Sequence, residues 1–327
     1  MHILVLGGAG MVGRKFIERL ARDGNLGGKP VTRVTAQDVV VASPPPAAPF
    51  DLEAVVSDLS LPGEAEKLIA AKPELIVHLA AIVSGEAEAD FDKGYRINLD
   101  GTRYLFEAIR KAAGGYKPRV VFTSSIAVFG APFHDKIEDE FFTTPLTSYG
   151  TQKAIGELLL CDYSRRGFFD GVGIRLPTIC VRPGKPNKAA SGFFSNIIRE
   201  PLNGEEAVLP VSDQVRHWHA SPRSAVGFLI HAATMDTAAI GPRRALTMPG
   251  YSCTVAEQIE ALRKVAGENV VKRIKRVPDP VIDGIVAGWP RNFNPQRALA
   301  LGFKSEANFE EIIRVHIDDE LHGTFVK

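Results

Sequence analysis

His2-Ile3-Leu4-Val5-Leu6-Gly7-Gly8-Ala9-Gly10-Met11-Val12-Gly13 is the stretch that decides the fold. Its apolar run is short and unbroken, as in a strand buried on both faces. Beyond the glycines, Val12, Phe16 and Leu20 recur at helical spacing, with Arg14, Lys15, Glu18 and Arg19 on the other face. The order is therefore strand, tight turn, amphipathic helix. Without side chains the turn can be sharp, and a pyrophosphate can approach the helix N-terminus, where free N–H groups and the helix dipole attract anions. The spacing is G-x-x-G-x-x-G rather than G-x-G-x-x-G, but the physical role is the same. Gly7, Gly10, Met11, Val12 and Gly13 are the first candidate cofactor-binding residues.

The alternation continues outward from this unit. Val31 to Asp38 reads as a second strand ending in a carboxylate. An acid there accepts hydrogen bonds from an adenosine ribose and repels a 2′-phosphate, so Asp38 favours NAD over NADP. Arg14 is a mild signal the other way. Pro44-Pro45-Pro46 and Pro49 make 42–50 a surface loop. Val55 to Leu59 reads as a short buried strand, with Asp58 and Leu59 placed to meet the edge and face of an adenine. A helix over 62–71 leads to the strand Leu75 to Leu79. The small residues that follow, among them Ala80 and Ala81, let a cofactor backbone pass close to Leu79, and Ser84 is a candidate for substrate hydroxyls. His78, inside an apolar strand, is expected to be packed and hydrogen-bonded rather than catalytic.

Residues 88–113 read as helical apart from a break at Gly94, with Asn98 buried and available to the backbone near the active centre. Arg119 to Ser125 forms a fifth strand with hydroxyls at its carboxyl end, where ligands of open parallel sheets bind. Gly171 to Leu176 forms a sixth, followed by Pro177 and Ile179, two further candidate cofactor contacts. The fold class that follows is α/β, a doubly wound parallel sheet of Rossmann type with a smaller C-terminal substrate lobe. The NAD-binding domain is expected over 1–180 and the lobe over 181–327, with later segments returning to the main sheet.

Chemistry enters with Ser148-Tyr149-Gly150-Thr151-Gln152-Lys153. On a helix Tyr149 and Lys153 lie one turn apart on one face. A phenol titrates near about 10, and a neighbouring ammonium favours its phenolate. Ser125, at the end of the fifth strand, is placed to orient a substrate oxygen beside Tyr149.

The 327 residues are 45% hydrophobic with a formal net charge of +1, a balance that implies neither nucleic acid nor an anionic membrane as partner. No apolar run reaches the roughly 20 residues of a membrane span, and the N-terminus enters its first strand with no signal peptide. Cys161, Cys180 and Cys253 are odd in number and widely spaced, which argues against a disulfide framework and a metal site. A reducing cytoplasm is the expected home.

In their order GGAGMVG (7–13), HLAA (78–81), TSSIAVFG (123–130) and SYGTQK (148–153) resemble the extended short-chain dehydrogenase/reductase family. The resemblance implies NAD as cofactor, Tyr149 as base, Lys153 as the group that lowers the phenol's pKa and binds the nicotinamide ribose, and Ser125 as the group polarising the reacting oxygen. Phe129, Thr178 and Arg216-His217-Trp218-His219 depart from the family's sugar epimerases. The likeness is instead to a sugar-acid dehydrogenase branch, carried by AAIVSGEAEADFD (80–92), RLPTICVRPGKPN (175–187) and GWP (288–290). That branch implies oxidation of a secondary hydroxyl of a small sugar acid. Arg182 and Arg216 are the candidate partners of the acid's carboxylate, since arginine binds carboxylates in bidentate fashion, while Arg175 is expected to be buried structure. A homodimer is implied through helices around 95–113 and 150–166. Two alternatives stay open at this point: a nucleotide-sugar epimerase or reductase, and an NAD-sensing protein without catalysis.

Overall fold

The computed structural model describes residues 1–184 and 190–327, so that Lys185 to Asn187, the end of the 175–187 stretch, lie outside the described residues. The strands that position the site are β1 (His2–Leu6), β2 (Arg33–Asp38), β3 (Asp51–Val56), β4 (Leu75–His78), β5 (Arg119–Ser125), β6 (Asp170–Leu176), β7 (Thr178–Ile179), β8 (Arg216–Ala220), β9 (Ala245–Thr247) and β10 (Tyr251–Thr254). The helices that bear on it are α1 (Met11–Asp23), α2 (Glu64–Ile69), α3 (Ser84–Ala89), α4 (Phe91–Gly94), α5 (Gly101–Lys111), α6 (Ser148–Arg165), α7 (Gly192–Leu202), α8 (Pro222–Thr234), α9 (Val255–Ala266) and α10 (Phe309–Glu320).

Seven strands form one sheet in the order β9-β6-β5-β4-β1-β2-β3, every pairing parallel. The chain runs outward from β1 through β2 and β3, then returns to the other side of β1 at β4. Strand order therefore reverses between β1 and β4, and the crevice beyond their carboxyl ends is where such sheets bind ligands. The doubly wound α/β reading of the sequence holds.

The residues divide into two compact units. The first comprises Met1–Val128, Pro145–Leu176 and Val226–Thr247; the second comprises Phe129–Thr144, Pro177–Ala225 and Met248–Lys327. The chain passes between the units more than once, and β9 of the later chain pairs with β6 in the main sheet.

In the first unit Leu4, Leu6, Ile76, Val120 and Phe122 of the sheet pack with Leu68, Ile69, Leu105, Phe106, Ile109 and Leu160 from α2, α5 and α6. Each such side chain contributes about 1.5–3 kcal/mol on burial, which outweighs the roughly 1 kcal/mol that a glycine such as Gly150 costs inside α6. In the second unit β7 runs parallel to β8 and β10 antiparallel to it. Its core joins Phe194, Ile197 and Ile198 of α7 to Ile259 and Leu262 of α9 and Ile312 and Ile313 of α10. A capping box between Thr254 and Glu257 starts α9.

Two local expectations are corrected. The strand leading to Asp58 begins at Asp51 and ends at Val56, and most of its residues are exposed, because β3 is the edge of the sheet. The 88–113 segment breaks at Asp90, not Gly94: Asp90 accepts from the Lys93 N–H at 3.0 Å and caps α4. The chain then continues through a π-helical stretch, Tyr95–Asp100, into α5.

Candidate active site

The glycine turn is tied to the strand beside it. Gly7 and Gly8 N–H both donate to the Gln37 carbonyl, and the Ala9 N–H donates to Asp38 Oδ2 at 3.0 Å. Gly7 has φ +85°, and a Cβ there would lie 2.9 Å from the Ala80 nitrogen; a Cβ on Gly13 would lie 2.3 Å from the Gly7 carbonyl oxygen. The protein's own packing thus requires both. Gly10 differs: it is exposed, and a Cβ there would come no closer than 3.3 Å to anything. It leads into α1 with no side-chain cap, and Met11, Val12 and the rest of the first turn carry no acid. A bare cradle facing an uncapped helix N-terminus fits a dinucleotide pyrophosphate. Asp38 holds the same loop with one oxygen and takes the Val39 N–H at 2.7 Å with the other. Each carboxylate oxygen keeps a second lone pair.

Leu79, Ala80 and Ala81 follow β4 directly and are half-buried. Asn98, 2% exposed within the π-helical stretch, braces that segment: its Oδ1 accepts from the Ile82 N–H at 2.9 Å and its Nδ2 donates to Gln152 Oε1 at 2.8 Å. Ser84 is the first residue of α3. Asp58 accepts from the Ser60 N–H and pairs with Arg96 at 2.8 Å, with Leu59 buried beside it. His78 is packed as expected: its Nε2 meets Thr102 Oγ1 at 2.9 Å, and burial pushes its pKa down to about 3, so it is neutral.

Helix α6 begins where Thr147 accepts from the Gly150 N–H at 3.1 Å. A Cβ on Gly150 would lie 2.2 Å from the Ala127 carbonyl oxygen, so the helix start lies hard against the turn after β5. That approach brings Tyr149, Lys153 and Ser125 to the same end of the first unit. Lys153 is 3% exposed; its Nζ donates to the Thr123 carbonyl at 2.9 Å and lies 5.7 Å from the Tyr149 ring centroid. Burial pulls its pKa down to about 8. Ser125 Oγ accepts from the Ala127 N–H at 3.1 Å, which leaves its single O–H to donate elsewhere.

The remaining candidates belong to the second unit. Pro177 and Ile179 are buried, Ile179 in β7. Arg182 donates to the Ile179 carbonyl at 3.1 Å and to Ser191 Oγ at 2.8 Å. Arg216 pairs with Glu257 at 3.0 Å and donates to the Ser252 carbonyl. Thr178 Oγ1 and His217 Nε2 are 2.7 Å apart. Among the described residues, no cluster of His, Cys, Asp and Glu could hold a metal ion, and no helix is long and apolar enough to cross a membrane.

The sequence reading passed over Gln152, Gly150 and Glu157. The signal available for Glu157 was a carboxylate four residues beyond Lys153, on the same helix face.

Residues 3–233 match the model of the NAD dependent epimerase/dehydratase family. The chain belongs to that family. The resemblance to extended short-chain dehydrogenases/reductases drawn from the motifs therefore holds. Within the epimerase/dehydratase family it is 47% identical to the D-erythronate dehydrogenase of Cupriavidus necator, over 98% of both chains, and 41% identical to that of Haemophilus influenzae, over 98% of this chain and all of the other. A solved structure described as the nucleoside-diphosphate-sugar epimerase from Agrobacterium tumefaciens shares 68% identity, covering 99% of this chain and 95% of its own, with TM-score 0.97. A GalE-like L-threonine dehydrogenase from Cupriavidus necator, 21% identical with TM-score 0.83, shares the fold over 98% of this chain.

Proposed function

We propose that this chain is an NAD-dependent dehydrogenase that oxidises a secondary hydroxyl of a small sugar acid, D-erythronate, to the 2-dehydro acid. The observation that carries the reading is the convergence of Ser125, Tyr149 and the buried Lys153 where α6 meets the end of β5, in a chain alike along its length to two D-erythronate dehydrogenases. Tyr149 as phenolate takes the hydroxyl proton. Ser125 donates its O–H to the same oxygen and holds it in place. The Lys153 ammonium favours the phenolate, bringing the base toward working pH. Bound NAD supplies the hydride acceptor.

The pyrophosphate is assigned to Gly7, Gly10, Met11, Val12 and Gly13, and the adenosine to Asp38, Asp58 and Leu59. Leu79, Ala80, Ala81, Asn98, Tyr149, Pro177 and Ile179 complete the cofactor contacts, with Lys153 on the nicotinamide ribose. The acid's carboxylate is assigned to Arg182 and Arg216, and a hydroxyl to Ser84. Michaelis constants for erythronate left unchanged by both Arg182→Ala and Arg216→Ala would remove the arginines from this scheme. The first unit is read as the NAD-binding body and the second as the substrate lobe, in a cytoplasmic enzyme.

The test of the whole reading is NAD reduction, followed by absorbance, with a panel of four-carbon sugar acids. Turnover with D-erythronate supports it. Interconversion of a nucleotide sugar without net reduction would favour the second reading, epimerisation, to which the description of the Agrobacterium tumefaciens structure points.

Two expected results follow for cofactor and assembly. Because Asp38 repels a 2′-phosphate, kcat/KM with NAD should exceed that with NADP by at least about tenfold, and Asp38→Ala should narrow the ratio. A preference for NADP in the wild type would contradict the assignment. We further propose a homodimer through the helices around 95–113 and 150–166, the second of which presents Leu158, 68% exposed in this chain. Sedimentation at micromolar concentration should give twice the chain mass, and a monomer rejects the pairing.

A further inference from the structure

Lys153 lies in surroundings that disfavour its charge. It is 3% exposed, and the groups that offset this burial are the Phe122 ring, 5.1 Å from Nζ, which attracts a cation, and the Thr123 carbonyl, which accepts from Nζ at 2.9 Å. The groups facing it can be named element by element. From β4 comes His78, neutral in its buried setting, and from β5 come Phe122 and Thr123. From α6 come Tyr149 and, one turn beyond Lys153, Glu157, which Arg175 of β6 pairs with at 2.7 Å. Behind these, Asn98 donates to Gln152 Oε1 and Thr102 meets His78, both uncharged.

Glu157 therefore supplies the negative charge acting on Lys153, and it raises the amine's pKa against the larger effect of burial. Glu157 is itself 5% exposed, and burying a carboxylate is costly unless its lone pairs are matched. They are. Its Oε1 accepts from Ser124 Oγ at 2.5 Å and from Arg175 Nε at 2.9 Å, and its Oε2 from Arg175 Nη2 at 2.7 Å. A buried ion pair is a poor device for stability alone, since an apolar pair of similar volume does as well. A charge fixed four residues from the working lysine has another use.

We propose that Glu157 is a positioning residue: anchored by Ser124 and Arg175, its carboxylate keeps the Lys153 amine in the ammonium form that the Tyr149 base requires. The proposal rests on the assignment of Lys153 and Tyr149 given above, and its test is read first without turnover.

Protein carrying ¹⁵N at lysine Nζ, free of substrate and cofactor, is titrated by NMR, with the Lys153 signal identified by its loss in Lys153→Met. The wild-type midpoint is expected near about 8. Glu157→Gln should lower it by about one pH unit, since a charge one helical turn away acts with that order of energy. If the pair merely held the packing, its loss would hydrate Lys153 and move the midpoint up, toward 10.5. The sign therefore decides, and an unchanged or raised midpoint overturns the proposal. Should Glu157→Gln fail to fold with Arg175 left unpaired, Glu157→Gln/Arg175→Met removes both charges together. It should lower the midpoint by less, and a rise again overturns the proposal. In turnover, the alkaline fall of kcat should move to lower pH by the interval seen by NMR. A fall that stays in place while the midpoint moves would deny Glu157 its positioning role. If instead Tyr149→Phe proves fully active while the midpoint shifts as expected, the assignment of the base fails and the coupling between Glu157 and Lys153 stands.

Discussion

Tyr149→Phe should lower kcat for erythronate oxidation by about 10²- to 10⁴-fold, the range a positioned proton acceptor contributes. The change removes one oxygen and leaves the ring, so its contact with Lys153 and the start of α6 are kept. NAD affinity should change little and the thermal unfolding midpoint hardly at all. Steady-state kinetics with a parallel melting curve checks this. Near-normal turnover would show that another group takes the proton.

The second large effect is expected at the glycine turn, where two neighbouring substitutions should separate packing from binding. Gly13→Ala places a Cβ 2.3 Å from the Gly7 carbonyl oxygen, and backbone cannot swing aside as the tip of a side chain can. The loop must shift off β1, at about 1–3 kcal/mol or more, and NAD binding falls with it. Gly10→Ala meets only the Gly7 carbonyl oxygen, at 3.3 Å, a close contact relieved by a shift of a few tenths of an ångström, so the protein without cofactor should lose less than about 1 kcal/mol. Its cradle is filled, however, so NAD should bind at least about tenfold more weakly. Thermal unfolding and fluorescence titration with NAD measure the two quantities separately. Equal stability losses at the two positions would contradict the division of roles between them.

Much of this site was legible before any coordinates, because its parts are local. A glycine turn between a buried strand and an amphipathic helix is encoded within a dozen residues, and Tyr149 and Lys153 share a face by helical period alone. His78 is legible as structure because a polar group inside an apolar strand must be satisfied there, as it is by Thr102; Arg175, at a strand end, is held by Glu157. The edge position of β3 was not legible, since exposure of a strand depends on what pairs beside it. Nor was the break at Asp90, where a capping side chain outweighed the nearby glycine.

By itself the sequence determined the parallel α/β architecture, the order of the chemical groups along it and the family, since period, turn chemistry and motif spacing are properties of neighbouring residues. Tertiary structure alone decided that Gly150 presses α6 onto the turn after β5, that Gln152 grips Asn98 across 54 positions, and that Glu157, held by Ser124 and Arg175, lies where it can act on Lys153. Those contacts join residues far apart in the chain, and the charge on a buried amine depends on everything packed around it.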